Sequence, residues 1–226
     1  MSVPDLDENA LANFDPDEFE AEMERETVPT SHLPMAVFGD FLLRSEILRA
    51  VADCGFEHPS AVQCRALPLA LMGSDVICQA QSGMGKTAVF VLSVLQQIDP
   101  EEPHVQCVVL CHTRELAYQI SSEFNRFAKH LPGVRSAVFF GGVPVRLNRQ
   151  LLASEHPQIV VGTPGRMKQL VREEAMDLSH VRTFVMDEAD KLLEQVGLSE
   201  LMRNNNLKTC EGTCRRSFSR PRTPSR

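Results

Sequence analysis

A glycine-rich run that starts at Ala80 contains the residue types that bind phosphate. Its spacing is that of a Walker A loop, with alanine in the place of the first glycine. Gly83 and Gly85 let the backbone turn with its N–H groups pointing inward, which forms a nest for phosphate oxygens. We expect Lys86 to reach the β- and γ-phosphates of a nucleotide and the Thr87 hydroxyl to bind Mg²⁺. The predicted phosphate-binding residues are Ala80, Gln81, Ser82, Gly83, Met84, Gly85, Lys86 and Thr87.

The pattern on either side of this run distinguishes a phosphate site from an ordinary turn. A glycine-rich turn with a stray lysine is the alternative. An apolar segment at Val76–Cys78 precedes the run, and a helical pattern starts at Gly85. The N-terminus of such a helix adds partial positive charge. Strand, loop and helix therefore occur in the order that a phosphate site requires, which favours that interpretation.

A pair of carboxylates ends a second apolar segment later in the chain. Asp187 and Glu188 follow Thr183–Met186, and Asp190 comes two residues after them. In P-loop enzymes an aspartate at such a strand end holds Mg²⁺, and a glutamate beside it can polarise the attacking water. The sequence therefore predicts Asp187 as a metal-binding residue, and Glu188 and Lys86 as catalytic residues. An acidic helix N-cap is the alternative, which the phosphate loop upstream disfavours.

Short β-branched runs alternate with helical stretches around these two clusters. This order predicts an α/β fold, in which a mostly parallel sheet carries helices on both faces. Consecutive apolar residues within the strands are typical of a sheet that is covered on both faces. The predicted strands are Val76–Cys78, Val105–Cys111, Ala137–Phe140, Ile159–Val161 and Thr183–Met186. The predicted helices are 42–51, Gly85–Gln97, Glu115–His130, Leu147–Ser154, Gly165–Arg172 and Lys191–Gln195.

Charge is unevenly distributed along the 226 residues, whose formal net charge is -7. Residues 1–26 carry ten acidic residues and one arginine, and residues 203–226 carry seven basic residues and one glutamate. We predict an acidic disordered segment at 1–34, one folded domain at 35–197, and a basic, divergent, disordered segment at 198–226. The mildly acidic middle does not indicate nucleic acid by charge alone, so local motifs must provide any RNA binding.

The apolar and cysteine content indicates a protein of the cytosol or nucleus. No run approaches the ~20 apolar residues that span a bilayer, and the acidic N-terminus is unlike a secretory signal. Cys210 and Cys214 have no second cysteine or histidine pair to complete a zinc site. The other five cysteines lie in or beside apolar runs and are expected to be buried, reduced thiols.

Together the two clusters, GMGKT and DEAD, resemble the DEAD-box RNA helicases. Gly55-Phe56, Pro59-Ser60 and Gln63 resemble the Q motif of that family, with Phe38 as its upstream aromatic residue. The resemblance implies that Gln63 reads the edge of adenine and that Phe38 stacks on its ring, with ATP and Mg²⁺ as cofactors. It also implies a RecA-like P-loop domain at 35–197 and the activity of an RNA-dependent ATPase and RNA helicase.

Three further motifs follow in family order, and in the family they bind RNA. They resemble motif Ia, the GG element and motif Ib. Arg114 and Arg166 can pair with phosphates, while glycines and helix N-termini let backbone N–H groups approach closely. Such contacts are made to the RNA backbone and not to the bases, so the expected binding is independent of RNA sequence and sensitive to salt. The implied RNA-binding residues are Thr113, Arg114, Glu115, Gly141, Gly142, Thr163, Pro164, Gly165 and Arg166.

The resemblance narrows to the nuclear branch of the family that acts in pre-mRNA splicing and mRNA export. Runs such as FLLRSEILRAVADCGFEHPSAVQ and QAQSGMGKTAVFVL closely resemble that branch, and His112-Thr113 replaces the usual Pro-Thr of the family, as in that branch. Ala189 gives the general family form of the acidic motif, where members of the branch typically have cysteine. The resemblance implies a nuclear protein, with the cytoplasm left open, and splicing and export factors as partners. It implies no membrane association and leaves the oligomeric state open.

Two motifs of a complete family helicase do not occur in the sequence. One is His-Arg-x-Gly-Arg, which supplies arginine fingers from a second domain, and the other is Ser-Ala-Thr, which follows the acidic motif. In the family, the strand before Ser-Ala-Thr lies between the P-loop strand and the acidic-motif strand. We therefore expect a truncated form with an incomplete sheet and little ATP turnover by this chain alone.

Three functions remain open from the sequence. The first is an ATP-dependent RNA helicase. The second is a catalytically dead truncated isoform that binds nucleotide, RNA or partners and competes with the full-length helicase. The third is a small P-loop kinase or GTPase, which fits the Walker A run but does not explain Gln63 or the RNA motifs. RNA-stimulated ATP hydrolysis distinguishes the first from the second, and a preference for guanine would mark the third.

Overall fold

The computed structural model describes residues 37–81 and 83–193, together with the backbone of Arg215–Arg216. The chain divides into two units, Met1–Met35 and Ala36–Arg226, and all of the described residues belong to the second. The predicted acidic segment and most of the predicted basic segment therefore lie outside the described residues, and their disorder stays a prediction.

Within the described residues, one sheet of five strands forms the centre of the fold. The strands are β1 (Cys107–Leu110), β2 (Ser136–Phe139), β3 (Ile159–Gly162), β4 (Thr183–Met186) and β5 (Arg215–Arg216). Their order across the sheet is β2-β3-β1-β4-β5. The pairs among the first four are parallel, and β5 runs antiparallel to β4. Every residue of β1, β3 and β4 is buried, whereas the edge strand β2 alternates between half-buried and buried.

Seven α-helices connect and cover these strands in the part of the chain that the structure describes. A short 3₁₀ helix at Phe38–Phe41 precedes them. The helices are α1 (Ser45–Asp53), α2 (Ala61–Leu71), α3 (Lys86–Gln97), α4 (Arg114–Phe127), α5 (Val145–Glu155), α6 (Pro164–Arg172) and α7 (Ala189–Leu193). Among them, none is both long and apolar enough to cross a membrane.

Helices pack on both faces of the sheet, as the side chains of β1 show. Val109 belongs to one cluster of buried side chains, with residues of α3 and α4. Val108 and Leu110 point the other way into a second cluster, with residues of α6. Alternate residues of a strand face opposite sides of a sheet, so two separate cores require two helical layers. The predicted α/β class, with helices on both faces, is confirmed.

Helix α2 is the element that the sequence pattern did not reveal. Its N-terminus is a reciprocal capping box, in which the Ser60 hydroxyl accepts from the Gln63 N–H and the Gln63 side chain accepts from the Ser60 N–H. The spacing Ser-x-x-Gln is the signal for such a start. Pro68 lies inside the helix and argues against a helix when the sequence is read alone.

The predicted strand Val76–Cys78 is wrong, because this segment does not join the sheet. Val76 is buried and makes one isolated bridge, whereas Ile77 is 67% exposed. A strand requires a neighbour for its backbone N–H and C=O groups. In the described part of the chain, the outer edge of β4 pairs with β5 and not with this segment. The chain therefore reaches the glycine-rich run through irregular backbone.

The described cysteines differ in burial. Cys107 and Cys111 are buried in and beside β1, as predicted, and three further cysteines that form no disulfide bond within the described residues are half-buried: Cys54, Cys64 and Cys78. Burial raises the pKa of Cys111, and the charges of Asp187 and Glu188 add to this effect. Cys111 is therefore a protonated, unreactive thiol at neutral pH. The predicted pair Cys210 and Cys214 lies outside the described residues.

Candidate functional site

The glycine-rich loop turns sharply into the start of α3. Gly83 and Gly85 both have a φ of +82°, in the left-handed region that side chains rarely adopt. Gly85 is the N-cap residue of α3. A Cβ atom at Gly85 would also lie 2.5 Å from Nε2 of Gln63. Glycine at this position is therefore required both by the backbone conformation and by the approach of a neighbouring side chain. Ser82, between Gln81 and Gly83, lies outside the described residues.

The Lys86 ammonium group lies inside the loop that it terminates. Its Nζ atom donates to the carbonyl oxygen of Gln81 over 2.9 Å and also contacts the carbonyl oxygen of Ala80. These partners are neutral oxygens, and a hydrogen bond to a phosphate oxygen is stronger because both groups are charged. The donor set of the loop, an ammonium group and turned backbone N–H groups, fits a phosphate chain.

Gln63 and Ser60 fasten α2 to the backbone of this loop. Nε2 of Gln63 donates to the carbonyl oxygen of Gly85 over 3.2 Å, and the Ser60 hydroxyl donates to the carbonyl oxygen of Met84 over 2.9 Å. Gln63 is 2% exposed. Both ends of its amide are bonded, because Oε1 accepts from the Ser60 N–H. In this conformation Gln63 supports the loop, and its reading of adenine stays a prediction.

The ring of Phe38 is packed in the core. It is 4% exposed and makes edge-to-face contacts with Phe41 and Phe56, at centroid distances of 6.1 and 6.0 Å. A ring in this environment offers no free face for stacking on adenine, so this conformation does not support the role predicted for Phe38. Phe56 is half-buried and lines the cleft beside the loop. Sequence reasoning placed Phe56 in the Q motif without giving it a role.

The acidic cluster begins where β4 ends. Asp187 is buried, and its backbone N–H donates to the carbonyl oxygen of Leu110 over 3.0 Å, which fixes it beside the end of β1. Burial raises the pKa of Asp187, and the charge of Glu188 raises it further, whereas the charge of Lys86 opposes this effect. A buried carboxylate next to a second acid gains from a cation, so the donor set fits Mg²⁺.

Glu188 is held in an uncommon backbone conformation. Its φ of +54° is in the left-handed region, where a non-glycine residue is strained. Oε2 of its side chain lies 2.7 Å from Nζ of Lys191 and 3.1 Å from Nδ1 of His112. The carboxylate of the predicted catalytic base therefore lies beside two nitrogen atoms, one from a lysine and one from a histidine. The sequence analysis identified neither of these residues as functional.

One cleft of about 1070 Å³ brings the phosphate loop and the acidic cluster together. Its walls include Gly83, Gly85, Lys86 and Thr87 from the loop and Asp187, Glu188 and Asp190 from the acidic cluster. The sequence predicted both groups, although they are far apart in the chain. Helix α4 supplies another wall, through Leu116, Gln119, Ile120, Ser122 and Glu123. Of the predicted nucleotide-binding residues that the structure describes, four do not line the cleft: Phe38, Gln63, Gln81 and Met84.

The predicted RNA-binding residues of motif Ia and the GG element lie against each other. A Cβ atom at Gly142 would lie 2.9 Å from Nη1 of Arg114, and one at Gly141 would lie 3.7 Å from Nη2. Gly142 also has a φ of +94°. Thr113 is the N-cap of α4, where its hydroxyl accepts from the Leu116 N–H over 3.1 Å. These glycines leave the room that the Arg114 guanidinium group occupies. Glu115 follows, exposed, in the first turn of α4.

Arg166 is the most unusual side chain of the predicted RNA surface. It lies in the first turn of α6, after Thr163 as the N-cap and Pro164 and Gly165 as the first helical residues. The residue is 8% exposed, and its buried Nη1 atom has no hydrogen-bond partner among the described residues. A buried donor without a partner is uncommon and unfavourable. An anion such as a phosphate group would satisfy it.

The predicted RNA-binding residues and the acidic cluster all follow the carboxyl ends of parallel strands. Thr113 and Arg114 follow β1, the Gly141-Gly142 pair follows β2, the Thr163 segment follows β3 and Asp187 follows β4. Carboxyl ends of parallel strands meet at one edge of a sheet, where open α/β proteins bind their ligands. The fold and the cleft therefore define a RecA-like P-loop domain.

The chain belongs to the DEAD/DEAH box helicase family, which it matches over residues 60–218. It is 60% identical over 161 residues to DEAD-box ATP-dependent RNA helicase 56 of Oryza sativa subsp. japonica. It is 55% identical over 163 residues to ATP-dependent RNA helicase SUB2 of Pyricularia oryzae. Each match covers 71% of this chain and 37% of the relative. The chain thus spans little more than a third of the length of these relatives.

Solved structures agree with this assignment. A DEAD box protein from the hyperthermophile Methanococcus jannaschii superposes with a TM-score of 0.69 at 29% identity, over 78% of this chain and 48% of that one. S. cerevisiae Dbp5 bound to RNA and ADP BeF3 superposes with a TM-score of 0.68 at 33% identity, over 78% and 44% of the two chains. The RecA-like fold of the family is confirmed.

Proposed function

We propose that this chain binds ATP with Mg²⁺ and RNA as the first RecA-like domain of an ATP-dependent RNA helicase. The observation that carries the proposal is the single cleft in which Lys86 and Thr87 meet Asp187 and Glu188. A P-loop NTPase requires these groups to be close, because the first pair binds the phosphates and the second pair acts on the metal and the water.

Each group in the cleft has a part in nucleotide chemistry. Lys86 exchanges its carbonyl partners for phosphate oxygens, and the turned backbone at Gly83 and Gly85 donates N–H groups to the same phosphates. Asp187 and Thr87 hold Mg²⁺, which when bound neutralises charge on the phosphate oxygens. Glu188 accepts a hydrogen bond from the attacking water and orients it.

RNA binds, in this proposal, across the edge formed by the loops after β1, β2 and β3. Arg114 and Arg166 pair with phosphates, and the N-termini of α4 and α6 present backbone N–H groups to the same strand. The unpartnered Nη1 atom of Arg166 supports this proposal, because a phosphate would complete its hydrogen bonding. These contacts do not involve bases, so binding is independent of RNA sequence and weakens with salt.

The biological setting is proposed from resemblance. The sequence from Phe41 to Gln63 and the glycine-rich loop resemble the nuclear branch that acts in pre-mRNA splicing and mRNA export. One relative in a solved structure, S. cerevisiae Dbp5, is bound to nup159, gle1, IP6 and ADP. We therefore propose a nuclear protein with RNA and factors of mRNA processing and export as partners. A cytoplasmic role is a separate possibility for cell fractionation to test.

Thermal melting of the full chain with and without Mg·ADP tests the nucleotide site. A ligand that binds only the folded state raises the melting temperature. At a ligand concentration a hundred times its Kd, it adds about 2.7 kcal/mol to the free energy of unfolding. We expect this rise in the wild type and in Lys129→Ala, a matched control that removes an exposed lysine. We expect no rise in Lys86→Ala. An equal rise in all three proteins would contradict the proposal.

RNA-stimulated ATP hydrolysis by the same preparation then separates the two remaining functions. Hydrolysis that rises with added single-stranded RNA supports an ATPase. Nucleotide and RNA binding without hydrolysis supports the non-catalytic alternative, in which the chain competes with a full-length helicase. Arginine fingers, which the second domain supplies in the family, contribute about 10³–10⁵ in rate in P-loop NTPases.

A further inference from the structure

The side chain of His112 links the end of β1 to the predicted catalytic base. His112 comes two residues after β1, and its Nδ1 atom lies 3.1 Å from Oε2 of Glu188. The imidazole is 19% exposed and the carboxylate is 42% exposed. Nδ1 itself is buried and forms no hydrogen bond with good angles in the described part of the chain. Glu188 is the residue placed to satisfy this buried nitrogen.

Two elements therefore approach the same carboxylate oxygen. Lys191, in α7, reaches Oε2 of Glu188 over 2.7 Å from the side of its own helix. His112 reaches that oxygen from the loop between β1 and α4. The backbone of Glu188 is strained, and such a conformation persists only where the surrounding structure holds it.

We propose that His112 is a positioning residue, which fixes the Glu188 carboxylate through Nδ1 for its action on water. The proposal rests on the proposed function, since it assumes that Glu188 acts in ATP hydrolysis. The typical family sequence has proline at this position, and proline has no side-chain donor. The contact is therefore a property of the histidine in this chain.

The contact between His112 and Glu188 also lies next to the predicted RNA surface. Thr113 and Arg114, which follow His112 directly, form the N-cap and first residue of α4 in the predicted RNA surface. A shift of this segment on binding a phosphate would move His112, and His112 would move Glu188. One short segment thus touches both the RNA surface and the residue that acts on water.

Lys191 alone is the competing explanation for the position of Glu188. Its side chain is 52% exposed, and an ion pair between exposed groups contributes little because solvent screens it and the lysine loses rotamer freedom. The imidazole is mostly buried and has two torsions rather than four, so less freedom is lost. We therefore expect His112, and not Lys191, to set the direction of the carboxylate.

Nitrogen NMR of the full chain labelled with ¹⁵N-histidine tests the contact without nucleotide. The His112→Gln spectrum assigns the signal. We expect the wild-type signal to show a proton on Nδ1 and to shift in Glu188→Gln, but not in the control His130→Gln. A proton on Nε2 alone, a signal that Glu188→Gln does not change, or one averaged signal for all seven histidines would each overturn the proposal.

Ligand binding tests whether the contact matters for the chemistry. Mg·ADP does not require an oriented water, whereas Mg·ADP with aluminium fluoride mimics the transferring phosphoryl group and does. In His112→Ala we expect Mg·ADP affinity within about twofold of wild type and about tenfold weaker binding of the fluoride complex, as for other residues that orient a catalytic group.

Two amide variants show which nitrogen acts. Asparagine places its amide nitrogen near the position of Nδ1, and glutamine places it near that of Nε2. Recovery of fluoride-complex binding in His112→Asn but not in His112→Gln supports the proposal. The proposal would be overturned if His112→Ala lost affinity equally for Mg·ADP and the fluoride complex, or lost affinity for neither. It would also be overturned if the wild type bound the two ligands with equal affinity. Failure of the proposed function itself is separate, because it appears as a Mg·ADP effect that Lys86→Ala does not remove.

Discussion

The two halves of the predicted site are supported in different ways. The loops that carry Arg114, Arg166 and Asp187 emerge from buried strands, each of which pairs in parallel with a neighbouring strand along its whole length. The phosphate loop emerges from irregular backbone after Val76 and is fastened by side-chain hydrogen bonds from Ser60 and Gln63. The backbone hydrogen bonds between paired strands involve many residues at once, whereas the attachment of the phosphate loop depends on two side chains. We therefore expect the sheet edge to resist local change and the phosphate loop to yield to single substitutions.

The largest expected effect is at Gly162, within the paired half. A Cβ atom there would lie 2.2 Å from the carbonyl oxygen of Phe139, in the neighbouring strand. Gly162→Val forces β2 and β3 apart, so we expect a loss of about 3 kcal/mol in the free energy of unfolding. Urea denaturation measures it. In Gly165→Ala, the control, a Cβ atom meets nothing within 4 Å. A loss in Gly162→Val no larger than that in Gly165→Ala would contradict the clash.

The second effect tests the side-chain support of the phosphate loop. Gln63→Ala removes the partner of the Gly85 carbonyl oxygen and of the Ser60 N–H. A buried group left without a partner costs about 1–3 kcal/mol, so we expect that loss of stability. Urea denaturation measures the stability, and calorimetric titration measures the accompanying loss of Mg·ADP affinity. Gln119→Ala, at an exposed glutamine of the cleft, should change stability little. Stability unchanged in Gln63→Ala would show that the loop has another support.

The third effect separates ligand binding from stability at Arg166. Arg166→Met keeps an unbranched apolar stem and removes a buried nitrogen that has no partner in the described structure. We expect stability within about 1 kcal/mol of wild type, and RNA affinity whose salt slope falls by about 1. Fluorescence anisotropy with a labelled single strand at several salt concentrations measures the slope. A large loss of stability with an unchanged slope would make Arg166 structural.

The smallest expected effect is at Asp53, away from the predicted site, and concerns the pH dependence of stability. Hydrogen bonds from Lys129 and then His130 lower the pKa of Asp53 to about 2. Because the folded state favours the ionised form, the contribution of Asp53 is present above the unfolded pKa of about 3.9 and is lost as pH falls through the folded pKa. We expect Asp53→Asn to be slightly less stable than wild type at neutral pH. The difference should shrink between pH 4 and pH 2 in urea denaturation.

Sequence reasoning succeeded where a local pattern decides the structure. The strands β1 to β4 were predicted because consecutive β-branched residues indicate strands covered on both faces. The two groups that line the cleft were predicted because Gly85-Lys86-Thr87 and Asp187-Glu188 each have a spacing that their chemistry requires. Both depend on neighbours in the chain, which a sequence shows directly.

It failed where distant parts of the chain decide the structure. Val76–Cys78 has the composition of a strand, but pairing depends on what lies beside it in space. Phe38 has the aromatic character that stacking needs, but in this conformation its ring packs against Phe41 and Phe56, so stacking on adenine stays a prediction. The approach of His112 to Glu188 joins the ends of two strands, and no local pattern indicates it. The capping box of α2 was a local signal that Pro68 obscured.

The position of the Lys86 ammonium group has a consequence for the affinity of the loop for nucleotide. In this conformation the hydrogen bond from Lys86 to the Gln81 carbonyl oxygen must be broken before a phosphate can take its place. The carbonyl oxygen of the loop therefore competes with the phosphate for the Lys86 ammonium group. An observed dissociation constant for nucleotide is then the constant for the released loop divided by the fraction of molecules in which the loop is released. A substitution that weakens only the self-occupied state would tighten binding without adding any contact to the nucleotide.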